Sequence, residues 1–341
     1  MTQVEAFDGT NADWDTFVRA CPGWTHFHLY GWRRVIESAH GHSCHYLAAR
    51  DEHGMLVGVL SLVRVTSVVF GRYLVSMPYV NYGGPLGSNE AVRALGAAAV
   101  GLAEREHVKL LELRSRQPLP LELPVSHRKI TVLLDLVPGD PDAVFARFPS
   151  KLRSQVRKPQ KEGVTVRFGA DQAGPFFEVF ARHMRDLGTP VQPRRLFEAI
   201  AAEFGEDVWF GCAYLGDRAI ACGCGLRWGG EFEMTWASAL VAFNRVSPNM
   251  ALYWAFIERA AREGLSVFNF GRCTPGSGTH RFKQQWGGRD EPLHWYQRSA
   301  EGEAHTPSPE DGAYAWGPRL WKRLPVGLAT ALGPRIVRGI P

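Results

Sequence analysis

The stretch Phe268-Asn269-Phe270-Gly271-Arg272, followed by a loop of small residues to Thr279 and then Phe282-Lys283-Gln284-Gln285-Trp286-Gly287, carries the most information in this chain. The aromatic run reads as a strand that stops at Gly-Arg. The loop behind it holds Gly271, Gly276 and Gly278 with Thr274, Ser277 and Thr279. Small residues at a strand end let backbone N–H groups approach a phosphate or carboxylate, although the same residues also make an ordinary turn. The glycine spacing fits neither a nucleotide P-loop nor a dinucleotide fingerprint. Lys283 stands between two large aromatics. Either its stem covers the core while the ammonium reaches solvent, or it enters a cleft beside the loop. A cation there would neutralise a phosphate or an oxyanion formed in acyl transfer.

Working outward, the chain repeats its own plan. Residues 45–62 and 209–226 each read strand, tight turn, strand, with turns at Asp51–Gly54 and Gly216–Asp217. A helical pattern precedes each hairpin, marked by Phe17, Trp32 and Ile36 in one half and by Phe180, Phe197 and Ile200 in the other. A longer helix and a strand follow each: 90–107 then 108–114, and 248–263 then 265–272. Both helices end in Arg-Glu, and both strands end in arginine, Arg114 and Arg272. Order and spacing together argue for a duplication. Pro, Gly and Asp cluster at 138–150, which sets the expected boundary near residue 140.

The 45% hydrophobic and 21% charged residues are ordinary for a soluble globular protein, so sizeable cores are expected. The N-terminus lacks the basic start and apolar stretch of a secretory signal. Six scattered cysteines without a Cys-x-x-Cys pair point to buried free thiols and a reducing cytoplasm. The net charge of +5 is local: Arg319, Lys322, Arg323, Arg335 and Arg338 lie in a tail without acidic residues, and 34 basic and 34 acidic residues remain elsewhere. A globally basic, nucleic-acid-coating surface is therefore not indicated, and any anion-binding role must come from local patches. Residues 301–312 read as a Pro-rich linker. The apolar, basic tail behind it is broken by Pro318, Pro325 and Pro334, so it reads as a strap across the body or as an interfacial membrane anchor.

Other candidate positions follow. The single-sign run Lys151 to Lys161 puts Leu152 and Val156 on one helical face and Arg157 and Lys158 on the opposite arc, suiting a phosphate-bearing substrate or simply a solvated face. Trp236, Asn249 and Tyr253 flank the start of the second long helix, and Tyr79 and Tyr82 hold the matching place in the first half. These suit a cleft wall or a packed turn. Gly-x-Ser-x-Gly and His-Glu-x-x-His are both absent, so neither a hydrolase elbow nor a zincin helix is expected. His26, His28, His40, His42 and His45 are expected on surfaces or loops.

Taken together, these motifs resemble the FemAB-like branch of the GNAT acyltransferase superfamily, in particular FemAB-related proteins of exosortase and exopolysaccharide loci. Further matching segments are Pro78-Tyr79-Val80-Asn81-Tyr82-Gly83-Gly84-Pro85, Lys151 to Lys158, Met184 to Pro190, Pro248-Asn249 and Leu252-Tyr253. The resemblance covers about residues 10–298. It implies an α+β fold with tandem GNAT-like domains around a shared cleft: 1–140, 141–298, and the linker and tail 299–341. It also implies formation of an amide on an amino sugar or peptide-like envelope precursor. The co-substrate would be acyl-CoA or aminoacyl-tRNA, with tRNA as a donor carrier and no tightly bound cofactor. Phe282 and Lys283 would be catalytic; Arg272, Gly276, Ser277, Gly278, Trp236, Asn249, Tyr253, Tyr79, Tyr82, Arg157 and Lys158 would bind substrate. The implied location is cytoplasmic, with peripheral inner-membrane contact through the tail. Two departures stand out. Arg114-Ser115-Arg116-Gln117-Pro118 lacks the acid that the peptidyl transferases carry at this place. There is also no room for their helical arm. A different class, a catalytically degenerate scaffold of a polysaccharide export system, is the alternative.

Overall fold

The computed structural model describes residues 2–67, 71–299 and 316–340. They fall into two compact units. The first begins with β1 (Gln3–Ala6), α1 (Asn11–Ala20), α2 (Trp32–His40), β2 (Ser43–Arg50), β3 (Leu56–Ser67) and β4 (Gly71–Val75). It continues with β5 (Leu86–Gly87), α3 (Asn89–Arg105), β6 (Leu110–Ser115) and β7 (Val125–Ser126). The second opens with β8 (Ile130–Asp135), α4 (Pro141–Ala146), α5 (Ser150–Lys161), β9 (Val164–Phe168), α6 (Ala173–Leu187) and α7 (Arg194–Phe204). Then come β10 (Val208–Leu215), β11 (Arg218–Trp228), β12 (Glu231–Ala239), α8 (Pro248–Arg262), β13 (Val267–Cys273), α9 (Gly278–Gln284) and β14 (Arg289–Pro292). The chain ends with β15 (His294–Ser299), α10 (Trp316–Trp321) and α11 (Val326–Val337).

Local chemistry sets these limits. The side chain of Thr10 caps α1 in a reciprocal box with Asp13. Ser88 caps α3. Asp51 turns the β2–β3 hairpin by accepting from the His53 and Met55 amides.

The duplication is explicit in the strand order. One sheet runs β1-β2-β3-β4-β6-β15-β7, with β5 on β3; the other runs β9-β10-β11-β12-β13-β8-β14, read from its far edge. The two orders match position by position. In each, one parallel pair, β4–β6 or β12–β13, is joined by the long helix α3 or α8, as a parallel connection requires. The division differs from the expected boundary at residue 140. It falls after Lys129, because β8 pairs with β13, and β15 pairs with β6 in the first sheet. Each sheet takes its sixth strand from the sequence beyond the other repeat.

Each unit has its own core. Leu60, Leu62, Leu74, Leu95, Leu111 and Leu113 pack in the first. An aromatic set including Phe232, Phe256, Phe268, Phe270 and Trp286 packs in the second. All six cysteines are free, five of them buried. The histidines correct the expectation of surface residues: His26, His28, His40 and His42 are buried. Burial pushes the imidazole of His26 down to about 3 and those of His28 and His42 to about 4, so they are neutral core groups. The expected linker at 301–312 lies outside the described residues.

Candidate active site

The second unit contains a fork. β12 and β13 pair only at Glu231–Val267, Phe232–Phe268 and Glu233–Asn269. Beyond that point β12 follows β11 to the Ala221–Ala239 pair, while β13 follows β8 to Cys273. Among the described residues no backbone hydrogen bond joins the two strands past Asn269. Strand edges that part in this way offer a slot for an extended ligand.

Asn269, fully buried, fixes the root of the fork. Its Nδ2 donates to Glu231 Oε1 at 2.7 Å and Glu233 Oε2 at 3.2 Å. Its Oδ1 accepts from Thr131 Oγ1 at 2.5 Å and from the Gly271 amide at 2.7 Å. Every hydrogen-bonding position of the amide is used, which sets its orientation. Thr235 Oγ1 also donates to Glu233, at 3.3 Å.

Lys283 holds the tip of β13. Consecutive carbonyls of a regular strand point to opposite edges. At Gly271 the backbone adopts φ 71°, a conformation suited to glycine, and the register against β8 shifts between Asn269 and Arg272. This bulge brings both carbonyls within reach of one ammonium: Lys283 Nζ donates to Gly271 O at 2.6 Å and Arg272 O at 3.0 Å. The side chain is 3% exposed. Burial pushes its pKa down to about 8, while Cys273 and the Glu233 carboxylate act in the opposite direction. Of the two readings of this lysine, neither matches the geometry in full. The ammonium neither reaches solvent nor stands in an open cleft.

Phe282 packs edge-on against Tyr253 at 4.9 Å, and Tyr253 stacks on Phe270 at 5.8 Å. Burial raises the Tyr253 hydroxyl pKa, so this phenol stays protonated. The loop ahead of α9 is built as a helix cap. Ser277 Oγ accepts from the His280 amide, and the Gly276 amide donates to His280 Nδ1 at 3.0 Å. That bond leaves the imidazole proton on Nε2, which faces Asp290 at 2.9 Å. The polar atoms of Gly276 and Ser277 expected to face an anion therefore serve the cap, and Gly278 is the first residue of the helix. Arg272 is half-buried beside them.

The other expected residues spread out. Trp236 is half-buried on β12 beyond the fork and meets Phe197 at 5.3 Å. Asn249 lies in the first turn of α8. Arg157 and Lys158 are exposed on α5, lining a shallow depression with Arg153 and Lys161. In the first unit, the Tyr79 hydroxyl donates to Arg338 O at 2.8 Å and lies 2.7 Å from His42 Nε2. Tyr82, expected on a cleft wall, is a fully buried core residue against Phe27. The structure thus groups Lys283, Phe282, Arg272, Tyr253 and the 276–278 cap. Sequence reasoning did not single out Asn269, although an amide between two strand phenylalanines, opposite Glu231-x-Glu233, was a readable signal.

The matching place in the first unit is closed. β4 and β6 pair at Tyr73–Leu110, Leu74–Leu111 and Val75–Glu112. The chain then stays on β6: the Ser76 amide donates to Glu112 O and the Gly84 amide to Arg114 O. A Cβ at Gly84 would lie 2.8 Å from that oxygen, so only glycine fits the approach. Arg114 is buried, bonded through Nε to Glu112 at 2.7 Å and through Nη1 to Val80 O at 3.1 Å, with its guanidinium 4.4 Å from the Trp295 ring.

Two copies of one α+β plan, each with a helix-linked parallel pair, define a tandem GNAT fold. Residues 146–284, within the second unit, match the acetyltransferase (GNAT) domain family. The chain is similar to a crystal structure of FemX (16% identity, TM-score 0.63, covering 86% of this chain and 97% of that one). It is also similar to a tandem GNAT protein from the clavulanic acid biosynthesis pathway (13%, 0.55, 89% and 100%). A third likeness is to the C-terminal domain of a putative lysylphosphatidylglycerol synthetase from Agrobacterium fabrum (11%, 0.56, 86% and 93%). No curated protein matches the chain.

Proposed function

We propose that this chain is an N-acyltransferase that lays an acyl-CoA-type donor along the β12–β13 fork and joins its acyl group to an amine. The acceptor is an amino sugar or a peptide-like envelope precursor. The observation that carries the reading is the fork, open in the unit that matches the GNAT family and closed by Arg114 and Gly84 in the other. A thioester arm is extended and carries amides, so it suits parted strand edges.

In the reaction the amine nitrogen bonds to the acyl carbon and gives up a proton to solvent, the C–S bond breaks and the thiolate takes a proton, so that a side chain that protonates the sulfur is reprotonated from solvent. Tyr253, kept protonated by burial, is the proton donor closest in chemistry to that need. Lys283 acts on the site through the Gly271 and Arg272 carbonyls, whose placement sets the strand tip. Positioning supplies most of the rate.

Calorimetric titration of the full chain with acetyl-CoA tests this reading. One site per chain is expected; no binding, or two equivalent sites, overturns it. A second reading, aminoacyl-tRNA as donor, draws on the exposed basic face of α5. It requires tRNA binding that weakens steeply with salt.

A further inference from the structure

Exposed large apolar side chains gather where the tail lies on the second unit. Leu320 of α10 is 56% exposed and Leu328 of α11 is 46% exposed. Leu187, the last residue of α6, is 51% exposed, and its neighbour Gly188 has no room for a Cβ because Pro318 O would lie 2.7 Å away. The tail is held by its backbone. Arg185 Nη1 donates to Leu324 O at 3.0 Å and Lys322 O at 3.4 Å, Gly333 sits against Val191, and Ala329 is buried.

With the backbone tied down, the exposed side chains over 319–331 are Arg319, Leu320, Lys322, Arg323, Pro325, Leu328 and Ala331. A helix on the surface of a soluble protein turns a polar face outward; here the outward groups are aliphatic or cationic, and Trp316–Pro341 contains no acidic residue. Exposed aliphatic side chains interspersed along the tail with cations, on a chain otherwise balanced in charge, match a surface that is negative outside and apolar beneath. Among the described residues no helix is long and apolar enough to cross a membrane.

We propose that this tail surface, Leu187, Leu320 and Leu328 with Arg319, Lys322 and Arg323, docks the protein on an anionic lipid bilayer, lying in the headgroup layer. The inference is independent of the acyl-transfer reading. Its test is co-sedimentation of the full chain with phosphatidylcholine vesicles that contain or lack phosphatidylglycerol. Binding is expected only with phosphatidylglycerol and weakens as salt is raised. The pair Lys322→Glu/Arg323→Glu weakens it about tenfold or more, from several-fold per cation, and Leu320→Ser/Leu328→Ser weakens it independently. These side chains are exposed, so circular dichroism and unfolding midpoints remain those of the parent chain. No sedimentation with anionic vesicles, equal sedimentation with neutral ones, or binding indifferent to both pairs overturns the proposal. So does a concentration-dependent dimer that Leu328→Asp abolishes, which would make the face an interface between copies.

Discussion

The Lys283 ammonium lies 2.6 Å from the carbonyl oxygen of Gly271, twelve residues earlier, and so ties the last turn of α9 to the end of β13. Its buried charge makes stability depend on pH. The folded pKa is about 8 against an ordinary 10.5, so between these values the unfolded chain binds the additional proton and stability rises with pH. Below pH 8 the cost of burying the charge is fully present. Relative to Lys283→Met, the parent chain is expected to gain about 3 kcal/mol between pH 7 and pH 10.5, read from urea unfolding. A flat difference across that range would show that the ammonium is not desolvated.

Lys283→Ala removes the donor shared by two carbonyls without touching the aromatic core. Turnover is expected to fall by about tenfold or more, because a displaced strand tip misplaces the donor, while circular dichroism shows a folded chain. Undiminished transfer would remove Lys283 from the mechanism.

Tyr253→Phe keeps the stacking on Phe270 and loses the hydroxyl. Turnover is expected to drop about a hundredfold, with acetyl-CoA affinity unchanged. Equal rates for the two chains would assign leaving-group protonation elsewhere.

Asn269→Ala withdraws the amide that donates to Glu231 and Glu233 inside the core. The expected loss is about 2–4 kcal/mol in unfolding free energy. Asn269→Asp adds a third carboxylate at the same point and should cost more.

Arg114→Met leaves Glu112 buried without its cation and removes the side-chain bond to Val80 O. The expected cost is about 3–5 kcal/mol. Adding Glu112→Gln should recover much of it in a double-mutant cycle, because the uncompensated charge is then gone. Additive losses would mean that the pair is not coupled.

The sequence by itself determined every level at which neighbours along the chain decide the outcome. The Thr10 and Ser88 caps, the Asp51 and Gly216–Asp217 turns and the alternation of the strands fix local φ/ψ preferences, and the recurrence of hairpin, long helix and strand-end arginine showed the duplication. The aromatic run at 268–270 and the Gly271 stop located the strand end that bears the site. Tertiary structure decided what local pattern leaves open. An alternating strand states which face is apolar but not which edge it will join, so β8 and β15 could take their places in the sheets only through long-range pairing. Burial of His26 and His40 is likewise a property of the packed unit. The same holds at the two forks. Arg114 and Arg272 look equivalent along the chain, yet Arg114 finds Glu112 and Trp295 and closes its fork, whereas at Arg272 the backbone bulge hands the carbonyls to Lys283 and the strands stay apart.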